Sequence, residues 1–295
     1  MNTALECWPC LIRQSWEAVC LATKIPSKRD TIMRQALRRV SEMDLRMPPP
    51  VMAGDIHAII RQETGCRDPY RAFKDKYTRL AMELFPELRR RVAVSADPFE
   101  TAVRLAIAGN IIDAGALPNL NEDGVLGAID EALAAPIAGD AVRALHVAAT
   151  QAEHILYLAD NAGEIVFDRI LIELLGPEKT TMAVRSDPIL NDATYEDAAA
   201  AGLPGVVTVM TSGSDLPGTV LEEASWDFRR LFDRADLVIA KGQGNYETLA
   251  DVNRSVFFVL RAKCPVIAAH IGCAVGAWVI HHSVVGRREE HVGRE

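Results

Sequence analysis

The chain has 295 residues, an apolar fraction of 49% and a net charge of −8, which is length and apolar content enough for a packed core in one large domain or two. Its acidic balance argues against a general partner of nucleic acid or of anionic membranes, whose phosphates call for basic faces. No run of about 18 apolar residues offers a membrane span and the first seven residues lack the basic start and apolar stretch of a secretory signal, so a cytoplasmic setting is expected, with the six cysteines kept as thiols or metal ligands.

From the start to about residue 95, helix formers, Arg and Lys dominate, punctuated by Pro26, Pro48-Pro49-Pro50 and Asp68-Pro69. Short helices joined by proline-marked turns are expected there, and Phe73 to Leu88 has the spacing of a helix with one face in water. Two or three more helices are expected between Asp97-Pro98 and about residue 150, interrupted at Gly109-Asn110 and at Pro118 to Asn121. After residue 150 short apolar runs alternate with helical patterns. Strands are expected at Ile155–Ala159, Thr181–Arg185, Val206–Met210, Leu237–Ala240 and Pro265–Ala268, with Val256–Leu260 the least distinct of the set. Strands separated by helices build βαβ units and a parallel sheet. The expected fold is therefore α/β: a Rossmann-like, mostly parallel sheet flanked by helices over residues 96–295, preceded by an all-helical N-terminal region over residues 1–95.

Three polar clusters follow candidate strands directly. Asp160-Asn161 with Glu164 follows the first, Arg185 with Asp187, Asn191-Asp192 and Thr194 follows the second, and Lys241-Gly242-Gln-Gly244-Asn245-Tyr-Glu247 follows the fourth. In a parallel sheet all three emerge on one edge, because each crossover returns the chain to the same starting side. Ligands of open α/β sheets bind at that carboxyl edge. Two Asp and one Asn make an incomplete oxygen shell of the kind hard divalent cations prefer. A lysine beside it suits a phosphate, and Gly242 and Gly244 let backbone N–H groups approach an anion closely. Asp and Asn after a strand are also ordinary turn and cap residues, but three such clusters on one edge exceed what turn chemistry asks for. Neither Gly-x-Gly-x-x-Gly nor a Gly-Lys-Ser/Thr P-loop is present in the sequence.

Asp160-Asn-Ala-Gly-Glu164, Asn191-Asp192-Ala-Thr, Gly213-Ser-Asp-Leu-Pro217-Gly-Thr, Lys241 to Glu247 and Lys263-Cys-Pro-Val-Ile-Ala268 together resemble, in that order, the DUF89 family of metal-dependent damage-control phosphatases. Cys7-Trp-Pro-Cys10 and Gly109-Asn110-Ile-Ile-Asp113 look like its stand-alone, mainly prokaryotic branch. The resemblance runs from residue 7 to about 280. It implies an enzyme that hydrolyses phosphate monoesters of small metabolites with Mn²⁺, Co²⁺, Ni²⁺ or Mg²⁺. It implies Asp160, Asn161 and Asp192 as metal ligands, and substrate contacts from Lys241, Gly242, Asn245, Glu247, Asn110 and Asn191, with Asn110 and Asp113 at the site's rim. Asp160, Asp192 and Glu164 are the carboxylates expected in the chemistry, with water favoured as nucleophile because no Asp-x-Asp of the haloacid type occurs.

Two rival readings belong to other classes. One is a sensor that binds a phosphometabolite without cleaving it. The other is a redox or metal-handling protein built on Cys7-x-x-Cys10, with Cys264 folding back on the pair; the spacing suits half a zinc site or a thiol pair. Cys20, Cys66 and Cys273 read as small core residues. His57, His146, His154, His270, His281 and His282 show no ligand or triad order, Arg38-Arg39 and Arg89 to Arg91 read as wet helix faces, and the charged stretch Gly286 to His291 reads as a solvated tail.

Overall fold

The computed structural model describes residues 1–112, 122–137 and 139–283. Seven helices come first: α1 (Cys7–Ala22), α2 (Pro26–Ser41), α3 (Pro49–Thr64), α4 (Arg71–Val94), α5 (Pro98–Ile112), α6 (Glu122–Ala134) and α7 (Gly139–Gln151). Strands β1 (Ile155–Leu158), β2 (Thr180–Val184), β3 (Thr208–Thr211), β4 (Leu237–Lys241), β5 (Val256–Arg261) and β6 (Trp278–Ser283) then alternate with α8 (Glu164–Leu175), α9 (Tyr195–Ala200), α10 (Trp226–Arg234), α11 (Gly242–Leu249) and α12 (Pro265–Ile271). Proline at the first turn of α2, α3 and α12 places the ring where no N–H is needed. No helix among the described residues is long and apolar enough to cross a membrane.

The strands form one sheet in the order β3-β2-β1-β4-β5-β6. All neighbours are parallel except β6, which runs antiparallel on β5. The mostly parallel α/β fold with a helical N-terminal region is thus as expected. Two details differ. The strand expected at Pro265–Ala268 is the first part of α12: Pro265 is pre-set for a helical first turn, and the Cys264 side chain accepts from the Ile267 N–H at 3.5 Å as a cap. The indistinct run at Val256–Leu260 is β5, buried on both faces by its place inside the sheet.

Strand β1 lies in the middle of the sheet with all four residues buried. Between β1 and β4 the direction of winding reverses, so the loops after these two strands diverge and leave a crevice at their carboxyl ends. The main core covers one face of the sheet with α4, α5, α7 and α8. Helix α8 is buried almost all round, and Ala102, Ala106 and Gly109 give α5 a smooth face toward it. A Cβ on Gly109 would stand 3.1 Å from side-chain carbons of both Glu164 and Phe167. A second cluster lines the other face with α10, α11 and α12. Helices α1, α2 and α3 share a third core of their own, centred on Val19, Ile32, Ile56 and Ile60.

This helical unit meets the carboxyl edge of the sheet through α3. The Arg61 guanidinium bonds Asp215 at 2.7 Å and the Pro188 carbonyl at 3.3 Å, and Leu216 fills the space beside Gly54. Further along, Arg67 pairs with Asp187, while Lys74 and Arg71 pair with Asp197 at 2.6 and 2.9 Å. The loops after β2 and β3 are therefore fastened from above by cations of the helical region.

Candidate active site

Backbone pairing across the crevice assembles the site. The Ala162 N–H donates to Asn191 O at 2.9 Å and the Ala193 N–H donates to Asp160 O at 2.8 Å, forming a bridge in which Asn161 faces Asp192. The β1 loop and the β2 loop thus present Asp160, Asn161 and Asp192 side by side, all buried below a tenth exposure. Gly242 closes the third side. It has φ +77, and an added Cβ would lie 2.0 Å from Asp160 Oδ2, so only glycine lets the start of α11 sit against this carboxylate.

Behind these groups lies a closed set of hydrogen bonds. The Asn110 and Asn161 side-chain N–H₂ groups both donate to the same two oxygens, Asp160 Oδ2 (3.1 and 2.9 Å) and Glu164 Oε2 (2.8 and 2.8 Å). Lys241 Nζ donates to the other oxygen of Glu164 at 2.5 Å, to Asp168 Oδ1 at 2.6 Å and to Ala106 O at 2.7 Å. Tyr157 donates its hydroxyl to Asp168 Oδ1 at 2.8 Å. On the opposite side Arg185 Nε donates to Asp192 Oδ2 at 2.8 Å, and its Nη2 reaches Ala159 O and Asn245 Oδ1, both at 3.3 Å.

Charge does not balance here. The buried carboxylates Asp160, Glu164, Asp168 and Asp192 outnumber the buried cations Lys241 and Arg185 by two. Burial, then the charges of Glu164 and Asp192, push the Asp160 carboxyl well above its usual range against the pull of Lys263 and Arg185. Burial also raises Asp192, with Arg185 opposing, and pushes Asp168 up to about 7, with Lys241 opposing. Burial works to lower Lys241, but the charges of Asp168 and Glu164 outweigh it and the ammonium is held more tightly than usual. A bound dication removes the surplus without protonating anything. Asn110 Oδ1 is moreover a buried carbonyl oxygen with no hydrogen-bond partner among the described residues, which suits a site meant to receive a ligand. The donor set is open, two carboxylates and an amide. No group of three His, Cys, Asp or Glu among the described residues forms a cage by itself. Oxygen donors of this kind fit Mg²⁺ or Mn²⁺.

The expected residues divide by position. Asp160, Asn161, Asp192, Asn110, Glu164 and Gly242 come together. Lys241 differs from expectation: it is wholly buried and its three protons are taken by Ala106, Glu164 and Asp168, so its ammonium does not face the crevice. Asn245 is likewise buried, donating to Ala159 O and Lys241 O and accepting from Thr219 and Arg185. Asn191 meets the β1 loop through its backbone carbonyl. Glu247 is on α11, where its backbone carbonyl takes the Met1 amino group at 2.6 Å and burial pushes its carboxyl up to about 7. Asp113 lies outside the described residues.

Three groups at the site had no role in the reading of the sequence. Asp168 follows Glu164 by one helical turn, and that spacing was the available signal. Arg185 stands first in the second polar cluster of the sequence, where nothing marks it as the partner of Asp192. Lys263 is exposed, and its positive charge acts on Asp160; Gln243 holds the loop by accepting from the Lys263 N–H at 2.5 Å. The cysteines build no metal cage: Cys7 begins α1 half-buried, Cys10 is exposed, and all six thiols are free. Burial raises the Cys7 thiol above its usual range.

A Rossmann-like sheet with two aspartates and an asparagine gathered at its switch point offers oxygen donors where open α/β sheets bind their ligands. Residues 3–279 match the family described as the damage-control phosphatase ARMT1-like domain, and the chain belongs to that family. It is 34% identical over 287 residues to a damage-control phosphatase of Pyrococcus horikoshii, covering 95% of this chain and 97% of the relative. A damage-control phosphatase of Archaeoglobus fulgidus is 31% identical, covering 95% and 98%. The crystal structure of a DUF89 family protein from Pyrococcus horikoshii superposes with a TM-score of 0.89 at 32% identity, covering 96% of this chain and all of that one.

Proposed function

We propose that the chain hydrolyses phosphate monoesters of small metabolites, such as sugar phosphates, in a reaction that depends on a divalent cation held by Asp160, Asn161 and Asp192. The observation that carries this reading is the gathering of four buried carboxyl groups, Asp160, Glu164, Asp168 and Asp192, against only two buried cations, Lys241 and Arg185, beside the switch point of the sheet. Held by these residues, a divalent cation would supply positive charge and Lewis acidity toward a phosphoryl oxygen. Mg²⁺ and Mn²⁺ suit the oxygen donors, and Co²⁺ and Ni²⁺ are further candidates. Six unpaired thiols suit a cytoplasmic setting.

The chain's own residues then bind and orient. Lys263 at the rim and the first-turn amides of α11 beyond Gly242 hold the remaining phosphoryl oxygens, where charge is spread in the transition state. Asn110 and Asn191 border the same opening. Lys241 and Asn245 act from behind, as supports for Glu164 and Arg185. Water is the nucleophile this arrangement favours, because Glu164 and Asp168 are buried with oxygens engaged by Lys241 and Asp160 and Asp192 are committed to the cation. Glu164 serves as a fixed charge behind Asn161.

The test is p-nitrophenyl phosphate turnover after EDTA and after adding back Mn²⁺, Co²⁺, Ni²⁺ or Mg²⁺. Turnover is expected to vanish with EDTA, to return with metal, and to fall at least about a hundredfold in Asp160→Ala. Undiminished turnover in either the EDTA-treated protein or Asp160→Ala would refute the assignment.

A further inference from the structure

Asn161 is a useful ligand only in one orientation. A side-chain amide has a donor end and an acceptor end of nearly the same shape, and a cation accepts only the oxygen. What selects the orientation here is the pair of carboxylate oxygens that receive both protons of the Asn161 amide, Asp160 Oδ2 at 2.9 Å and Glu164 Oε2 at 2.8 Å. Asn110 is bound to the same two oxygens in the same sense, which leaves its own Oδ1 buried and unpartnered at the site. Turning either amide over would set a carbonyl oxygen against two carboxylate oxygens.

Glu164 cannot hold this position unaided, because it is 1% exposed and lies among other acids. Its counter-ion is Lys241, and Lys241 is aimed in turn. Asp168, one turn further along α8, receives a second Lys241 proton at 2.6 Å and the Tyr157 hydroxyl at 2.8 Å on the same oxygen, Oδ1. Tyr157 points from the middle of β1 and is fully buried. The string Tyr157–Asp168–Lys241–Glu164 thus joins the central strand, α8 and the end of β4 to the two amides. Among the described residues, Asp168 and Tyr157 make no hydrogen bond or ion pair with Asp160, Asn161 or Asp192, so any influence they have on the cation passes through Lys241 and Glu164.

We propose that Asp168, supported by Tyr157, is a positioning residue for the cation site: it fixes Lys241, Lys241 fixes Glu164, and Glu164 holds the amides of Asn161 and Asn110 with their oxygens toward the cation. The proposal rests on the metal-site reading above. It assigns Lys241 to the machinery of cation binding rather than to phosphate. Partners that stand one bond behind metal ligands contribute about 10- to 100-fold to affinity in well-studied sites, and Asp168 stands three bonds behind Asn161, through Lys241 and Glu164.

The experiment is Mn²⁺ titration of metal-free protein, following the free-ion signal by electron paramagnetic resonance, with the folded fraction and Tm measured by circular dichroism on the same samples. Asp168→Asn keeps the shape and removes the charge. Its Mn²⁺ dissociation constant per folded chain is expected to rise about tenfold, and that of Tyr157→Phe to rise by a smaller factor. A role in stability alone would lower Tm and leave the dissociation constant of the folded fraction unchanged, and that result overturns the proposal. Should Asp168→Asn fail to fold, Tyr157→Phe decides by the same criterion. Wild-type protein that takes up no Mn²⁺ would sink the metal-site reading and this proposal together, whereas normal wild-type binding with unshifted variants sinks the proposal alone.

Discussion

His57 shows how a single buried group ties stability to pH. It lies inside the helical unit on α3, 2% exposed, with Nε2 lacking a partner and its ring centroid 6.1 Å from that of Tyr70. Burial, and secondarily the charge of Arg61, lowers its pKa from 6.5 to about 4. In the unfolded chain the imidazole takes a proton as pH falls below about 6.5, while the folded chain refuses one until about 4. Between these values the unfolded state binds more protons, so stability declines as pH falls, by up to about 3 kcal/mol in all. His57→Leu is expected to flatten the dependence of the urea midpoint on pH between 7 and 5 relative to wild type; equal slopes in the two proteins would contradict this. At the same scale, Asp160, Asn161 and Asp192 were legible in the sequence because strand-end residues on a parallel sheet must meet at one edge. The direction in which Lys241 points was not, since a lysine beside glycines reads the same whether it faces solvent or three buried acceptors.

The contact of α5 with α8 sets the depth of the site, because it brings Asn110 down onto Asp160 and Glu164. An alanine in the middle of a helix normally gains about 1 kcal/mol over glycine. At Gly109 the new methyl would meet Glu164 and Phe167 carbons at 3.1 Å, nearer than ordinary contact. Overpacking of a filled interior costs about 1–3 kcal/mol, so the packing term wins. Gly109→Ala is expected to lower the denaturant midpoint by the equivalent of about 1 kcal/mol and to weaken phosphatase turnover at saturating metal. A midpoint raised above wild type would show that the helices separate without cost. Element types were readable along most of the chain, with α12 and the unforeseen β6 the exceptions. Pro265-Val-Ile-Ala268 has strand-like residues, yet the Cys264 cap and the proline ring select a helical turn once β5 has ended.

For the molecule as a whole, the three cores divide the labour. The sheet with α4, α5, α7 and α8 holds the site, while α1, α2 and α3 close on their own apolar cluster and touch the site loops largely through ion pairs. Arg61 and Asp215 are 23% and 43% exposed, and Arg67 and Asp187 are 64% and 35%. Pairs with this exposure contribute at most about 1 kcal/mol each. Opening of the helical unit should therefore cost less than global unfolding. Native-state hydrogen exchange is expected to show the amides of α1–α3 exchanging faster than those of β1 and α8, with the gap widening in Arg61→Ala; uniform protection across both regions would contradict it.

Local pattern determined which stretches are strands and helices, that the sheet is parallel, and that an Asp-Asn pair, a later Asp and a glycine-rich turn share its edge. These follow from the period of apolar residues and from the geometry of crossovers, both of which are properties of short segments. Tertiary structure alone decided which of those polar groups face the crevice. Lys241, Asn245, Arg185 and Asp168 differ from surface residues only in what surrounds them, and their partners come from sites such as Ala106, Tyr157 and Thr219, far away along the chain. Burial makes each unpartnered charge costly, so the fold settles their pairing as a set, and the carboxyl groups left without a buried cation are those to which the proposal assigns the metal.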